Sequence, residues 1–143
     1  MKNIEFYFKD IEALELPGNA IKGGIIDLIR EERGVGGNIN IIFCSDEYLL
    51  NINKQYLGHD YYTDIITFDY VEKDIISGDL FISVDRIREN SVTFGSGFRR
   101  ELFRVIFHGI LHLCGYEDSD NILREQMRCK EDYYLGKVDF KSF

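Results

Sequence analysis

His108-Gly109-Ile110-Leu111-His112-Leu113-Cys114-Gly115-Tyr116-Glu117-Asp118 is the stretch on which the reading of this chain turns. It sets two of the three histidines four residues apart, then a glycine, then a carboxylate. The residues before it, Arg99 to Phe107, have helical apolar spacing and no breaker, so both histidines are expected on one helix. Positions i and i+4 lie on one helical face a turn apart, so both imidazoles can reach one ion. Gly115 supplies the left-handed residue that ends such a helix, and the chain can then fold back to present Asp118. A lone histidine on an apolar helix is ordinarily a satisfied core residue. The pair, the glycine and the carboxylate together point instead to a metal site with His108, His112 and Asp118 as ligands.

The spacing H-x3-H-x2-G-x2-D is similar to the metzincin pattern H-E-x-x-H-x-x-G-x-x-H, with Asp118 in the third ligand position. Gly109 stands where a metalloprotease keeps its general-base glutamate. His108-Gly-x-Leu-His112-Leu-x-Gly115-Tyr116 also resembles the signature of the YbeY family, metal-dependent endoribonucleases and rRNA maturation factors of bacteria. Other segments follow in that family's order: Leu50-Asn51 through Tyr56, Asp60, Thr63-Asp64-Ile65-Ile66-Thr67-Phe68, Gly78-Asp79-Leu80-Phe81-Ile82-Ser83, and Glu101 ahead of the histidines. The likeness runs from about Leu50 to about Tyr134. Two positions depart from it: Asp118 replaces the usual third histidine, and Leu57 replaces an arginine linked to activity.

At 143 residues the chain is expected to form one domain, residues 1–143, able to bury most of its apolar surface. Its 45% hydrophobic and 14% aromatic content exceeds that of a disordered chain. A single proline, no low-complexity run and no internal repeat leave no linker to divide it. The start, Met1-Lys2-Asn3-Ile4-Glu5-Phe6, carries no apolar signal core, and no apolar run approaches membrane length, so a cytoplasmic protein without a membrane partner is expected. Cys44, Cys114 and Cys129 are odd in number and form no ligand-spaced pair, which reads as reduced thiols. Cys114, nearly opposite His112 on a helix, reads as packing.

The net charge of −8 opposes a nucleic-acid partner, since affinity for RNA leans on Lys and Arg contacts to phosphate. The distribution softens the objection. Residues 1–84 carry a net of −8, whereas residues 85–116, with five basic and three acidic side chains, carry +2. A chain acidic overall can still present a neutral or basic cleft. Arg104, one turn before His108, is the residue best placed to meet RNA, with Lys54 and His59 as further candidates. The competing assignment makes Arg104 a solvated helix residue paired with Glu101.

Ile4 to Phe8 alternates as a strand, and Ile21, Ile25, Leu28 and Ile29 space as a helix ending near Gly34. Asn38 to Phe43 reads as a second strand. Ser45 caps a helix with Asp46 and Glu47 in its first turn and an inner face of Tyr48, Leu49, Ile52 and Tyr56. Ile65 to Val71 and Leu80 to Val84 are β-rich, the first apolar nearly throughout and therefore expected in the sheet interior. Helices follow over Arg86 to Phe94, Arg99 to Cys114 and Asn121 to Leu135. The order βαβαββααα predicts an α+β fold: a four-stranded mixed sheet packed with helices. The resemblance implies a zincin-like form of it, with the metal site on a helix-turn near the C-terminal third.

Three protein ligands leave one position open, as in a catalytic zinc site, so one Zn2+ per chain is expected, or another transition metal. Glu117, Asp120 and Glu125 lie near enough in sequence to serve as a base or to hold a histidine N–H. Asp64 reads either as a cap on the backbone at a strand entry or as part of an extended edge beside the metal. The family likeness implies a metal-dependent, single-strand-specific endoribonuclease that matures rRNA at the small-subunit 3′ end and acts in ribosome quality control. Its expected partners are single-stranded rRNA and ribosomal subunits. The alternatives are a ribosome-assembly factor that binds RNA without cutting it, and a metal-dependent peptidase, which Gly109 disfavours.

Overall fold

The computed structural model describes residues 3–143; Met1 and Lys2, from the stretch read as lacking a signal core, lie outside the described residues. Alternating side chains build the first strand, β1 (Ile4–Lys9), whose Ile4, Phe6 and Phe8 face the core. The elements that follow are α1 (Gly18–Glu31), β2 (Val35–Cys44), α2 (Asp46–Leu57), β3 (Ile65–Asp69), β4 (Ile75–Ser83), α3 (Val84–Phe94), α4 (Phe98–Leu113) and α5 (Asn121–Leu135). This is the α+β order expected from the sequence. The sheet runs β1-β2-β4-β3, with β1, β2 and β4 parallel and β3 antiparallel to β4. Register is set by apolar partners: Phe6 lies beside Ile41, Ile41 beside Leu80, and Ile66 beside Phe81.

The two faces of the sheet serve different layers. Ile39, Ile41, Phe43, Leu80 and Ile82 point to the main core with α1 and α4, while Cys44, Ile66, Phe68 and Phe81 pack beneath α2. Side-chain caps start the helices where the sequence placed them. Ser45 Oγ accepts from Tyr48 N at 3.1 Å, and Asp120 Oδ1 accepts from Leu123 N at 2.8 Å. No helix among the described residues is long and apolar enough to cross a membrane.

Helix α4 is the hub. It is buried on nearly every side, through Leu102, Phe103, Val105, Ile106, Phe107, Ile110, Leu111 and Leu113, and packs on α1, α3, α5, β3 and β4. Gly109 explains how closely it lies on the sheet. A Cβ at that position would come within 2.7 Å of both Ile65 Cδ1 and Leu80 Cδ2. The residue read as a missing peptidase base is thus a contact point between helix and sheet, where an added side chain would force Ile65 and Leu80 to move.

Two expectations are corrected. Strand β3 is an edge strand, and the interior strands are β2 and β4. Its apolar run reflects cover on both faces, Ile65 toward α4 and Ile66 and Phe68 toward α2, rather than two strand neighbours. Helix α2 packs Tyr48, Leu49 and Ile52 inward as expected, but leaves Tyr56 61% exposed and buries Leu50 and Asn53 instead, Asn53 Nδ2 donating to Tyr61 O at 2.9 Å.

The fit at Gly109 carries an expected outcome. Gly109→Ala should destabilise the fold by about 1–3 kcal/mol through overpacking, although alanine is the better helix former. Chemical denaturation measures this, and an unchanged or raised midpoint would mean that helix and sheet are not in contact there.

Candidate metal centre

The end of α4 builds the site. Gly115, at φ +103°, follows the last helical turn, and its N–H bonds to His112 O at 3.0 Å while Tyr116 N–H reaches back to Leu111 O at 3.0 Å. This is the Schellman arrangement, which satisfies the terminal carbonyls and reverses the chain. The reversal places the Tyr116 carbonyl against His112 and carries Asp118 over both histidines. Asp118 Oδ2 lies 3.3 Å from His108 Nε2 and 3.5 Å from His112 Nε2, and the two Nε2 atoms are 3.0 Å apart.

The protons on the imidazoles follow from what faces the other ring nitrogens. His108 Nδ1 lies 2.7 Å from Glu131 Oε2, and His112 Nδ1 lies 2.9 Å from the Tyr116 carbonyl oxygen. Both partners are acceptors, so each Nδ1 carries the hydrogen and each Nε2 presents a lone pair. Moving a hydrogen to either Nε2 would strip an acceptor of its donor. Two imidazole nitrogens and a carboxylate oxygen therefore converge, an arrangement that favours a shared positive charge. Ligand atoms around a tetrahedral zinc, bound at about 2.0–2.1 Å, lie roughly 3.3 Å apart. The three observed separations bracket that value, so the donor set fits a divalent ion. No other group of three potential ligand residues comes together among the described residues.

Glu131 is the functional residue that sequence reasoning missed. It holds His108 in place of Glu117, Asp120 or Glu125, the three carboxylates nearer in sequence. Asp120 is committed to capping α5, Glu125 lines a separate hollow beside Ile122 and Tyr133, and Glu117 lines the cleft described below. Glu131 lies on α5 with its side chain only 7% exposed, within the buried stripe Met127, Glu131, Tyr134 and Leu135. A carboxylate on an apolar stripe was the available signal. Its other oxygen accepts from Arg104 Nη1 at 2.9 Å, and Arg104 Nη2 donates to Asp132 Oδ1 at 2.6 Å. The structure thus gives the Arg104 guanidinium two carboxylate partners, neither of them Glu101. Burial disfavours a charged His108, but the Glu131 hydrogen bond and the charges of Glu131, Asp118 and Asp64 outweigh it and raise its basicity.

A cleft of about 600 Å³ opens beside the three candidate ligands. One wall is the open edge of β3. Asp64 O accepts from Ser83 N at 2.9 Å and Tyr70 N donates to Ser77 O at 3.0 Å, so alternate residues pair with β4. The backbone groups of Ile65, Thr67 and Asp69 therefore face away from the sheet, and all three residues line the cleft. Asp64 stands at the entry to β3. It lines the cleft together with His108, and burial raises its pKa against the pull of that histidine. His59 lines the same cleft, stacked on Tyr61 with ring centroids 5.1 Å apart, and Leu57 lies beside it. Lys54 lies outside that lining, with Nζ 3.3 Å from Asp60 Oδ1. Cys114 is half-buried in the core, and burial pushes its thiol up to about 12, in keeping with packing.

Comparison with known proteins gives a single picture. The family model described as Endoribonuclease YbeY matches residues 16–139. The endoribonuclease YbeY of Parabacteroides distasonis is 49% identical over 133 residues, covering 93% of this chain and 94% of that one. The one from Cytophaga hutchinsonii is 46% identical over 137 residues, covering 94% and 96%. A solution structure of a Thermotoga maritima protein superposes with a TM-score of 0.68 at 26% identity, covering 95% of this chain and 89% of that one.

The role of Glu131 can be tested apart from the ligands. Glu131→Gln should weaken metal binding by roughly 10–100-fold, since the Nδ1 partner loses its charge. Asp118→Ala should cost at least as much, while Asp118→His should retain the ion. Metal titration of the purified variants checks all three. Unchanged affinity in Glu131→Gln would remove it from the site, and unchanged affinity in Asp118→Ala would shift the third ligand to Glu117.

Proposed function

This chain belongs to the endoribonuclease YbeY family, and from that premise we propose that it is a metal-dependent endoribonuclease of the cytoplasm. It cuts single-stranded rRNA in small-subunit 3′ end maturation and in ribosome quality control, with ribosomal subunits as partners. The whole chain acts as one domain, and the resident ion is one zinc. The observation that carries the reading is the convergence of His108 Nε2, His112 Nε2 and Asp118 Oδ2, with each imidazole fixed through its other nitrogen.

When bound, a divalent ion supplies polarisation of a phosphoryl oxygen and acidification of a water at neutral pH. The chain's own residues do the rest. His108 and His112 contribute neutral donors, and Asp118 contributes one negative charge, leaving a site charge of +1 that still attracts an anionic phosphodiester. Glu131 and the Tyr116 carbonyl keep the Nδ1 protons in place, so both rings stay aimed at one point. The open edge of β3 orients an extended chain across that point. Peptide hydrolysis is disfavoured, because the position of the peptidase base is occupied by Gly109 against Leu80 and Ile65.

The purified protein should cleave single-stranded rRNA, and His112→Ala should lose at least the roughly 10–100-fold that even loss of a ligand's hydrogen-bond partner costs at metal sites. Binding without cleavage by the wild-type protein would establish the non-cleaving assembly factor instead. Equal cleavage by His112→Ala would dissociate the activity from this site.

A further inference from the structure

Charge is divided unevenly about the histidines. Among the described residues, the cleft under β3 is lined by Asp64, Asp69, Glu117 and Asp118 and by no lysine or arginine. On the other side of His108 and Asp118 lies a second groove of about 600 Å³, between the α3–α4 turn and α5. Its lining includes Asn90, Phe94, Ser96, Arg104, Arg124 and Arg128. The two grooves meet at Asp64, His108 and Asp118, so one chain lying across the site would occupy both.

The groups in the second groove differ in what they have free. Arg104 is held by Glu131 and Asp132. Arg124 Nη1 donates to Asp118 O at 3.2 Å, and Nη2 donates to Asn121 Oδ1. Arg128, one turn further along α5 on the same face, is exposed and makes no ion pair or side-chain hydrogen bond among the described residues. Ser96 Oγ is the one buried side-chain polar atom without a partner among the described residues, and Ser96 lines this groove. Phe94, 68% exposed, stands at the groove's rim. Four carboxylates also line this groove: Glu101 and Glu131 are buried, Arg104 answers Glu131, and Asp64 and Asp118 are shared with the cleft under β3, so the three arginines are what sets this side apart.

Building on the RNA reading above, we propose that this second groove, rather than the cleft under β3, takes the phosphodiester backbone flanking the scissile bond. Arg128 binds a phosphate, Ser96 Oγ donates to it or its neighbour, and Phe94 stacks an unpaired base. The cleft under β3, rich in carboxylates, takes bases and sugars in the neighbourhood of Tyr61 and His59. An acidic protein thereby confines its attraction for RNA to one side of the metal, which also fixes the direction in which a strand is laid.

The test uses a labelled single-stranded oligoribonucleotide of rRNA sequence, titrated at several salt concentrations in the absence of turnover. Arg128→Gln should weaken binding several-fold and lower the slope of log affinity against log salt by about 0.7, one single-strand phosphate contact. Arg128→Lys should keep the slope. Phe94→Ala should weaken binding by roughly five-fold or more with the slope unchanged, as loss of stacking does. Lys54→Gln, outside the groove, should change neither, and metal content should be the same in all four. An unchanged slope in Arg128→Gln, or a slope lost in Lys54→Gln instead, would overturn the assignment while leaving the RNA reading standing. A wild-type protein that binds no oligoribonucleotide would overturn both.

Discussion

The 2.7 Å hydrogen bond between His108 Nδ1 and Glu131 Oε2 joins the helix that carries two of the candidate ligands to the helix that follows them. It fixes the proton on one ring nitrogen and so frees the other as a donor. Glu131 is itself buried, and an unpaired carboxylate there would be costly; Arg104 supplies the countercharge. Removing one member of such a buried set typically costs about 3–5 kcal/mol, since the remaining charge is left without a partner. Arg104, Glu131 and His108 are therefore best understood as a relay of orientation, ending at the metal.

The close approach of α4 to the sheet is the second constraint. Gly109, next to His108, lets the helix press on Leu80 and Ile65, and Gly78 serves the same contact from the strand side: a Cβ there would lie 2.6 Å from Phe68 O and 2.8 Å from Leu113 Cδ2. This contact sets the distance between the histidines and the open edge of β3.

Much of this was legible in the sequence because it rests on local rules. The i, i+4 histidines, the glycine that ends their helix, the Ser45 cap and the alternation in β1 all depend on residues close in the chain. What escaped depends on distant partners. Burial of β3 on both faces imitates the pattern of an interior strand, so its place at the edge was hidden. The last turn of α2 departs from the expected face at Tyr56, while Asn53, a polar residue, is buried where the loop at Tyr61 gives it an acceptor. Glu131 sits in a helix whose sequence is mostly polar, and its partners His108 and Arg104 lie 23 and 27 residues away. The position of Gly109 was read for the group it lacks, whereas its meaning lies in what it touches.

Anomalous diffraction at the zinc edge, from crystals grown with zinc, tests the central claim most directly. The expected result is a single strong peak per chain at about 2.0–2.2 Å from His108 Nε2, His112 Nε2 and Asp118 Oδ2, with Glu131 still hydrogen-bonded to His108 Nδ1. A peak bound elsewhere, or a site in which Asp118 turns away and the histidines bind through Nδ1, would contradict it.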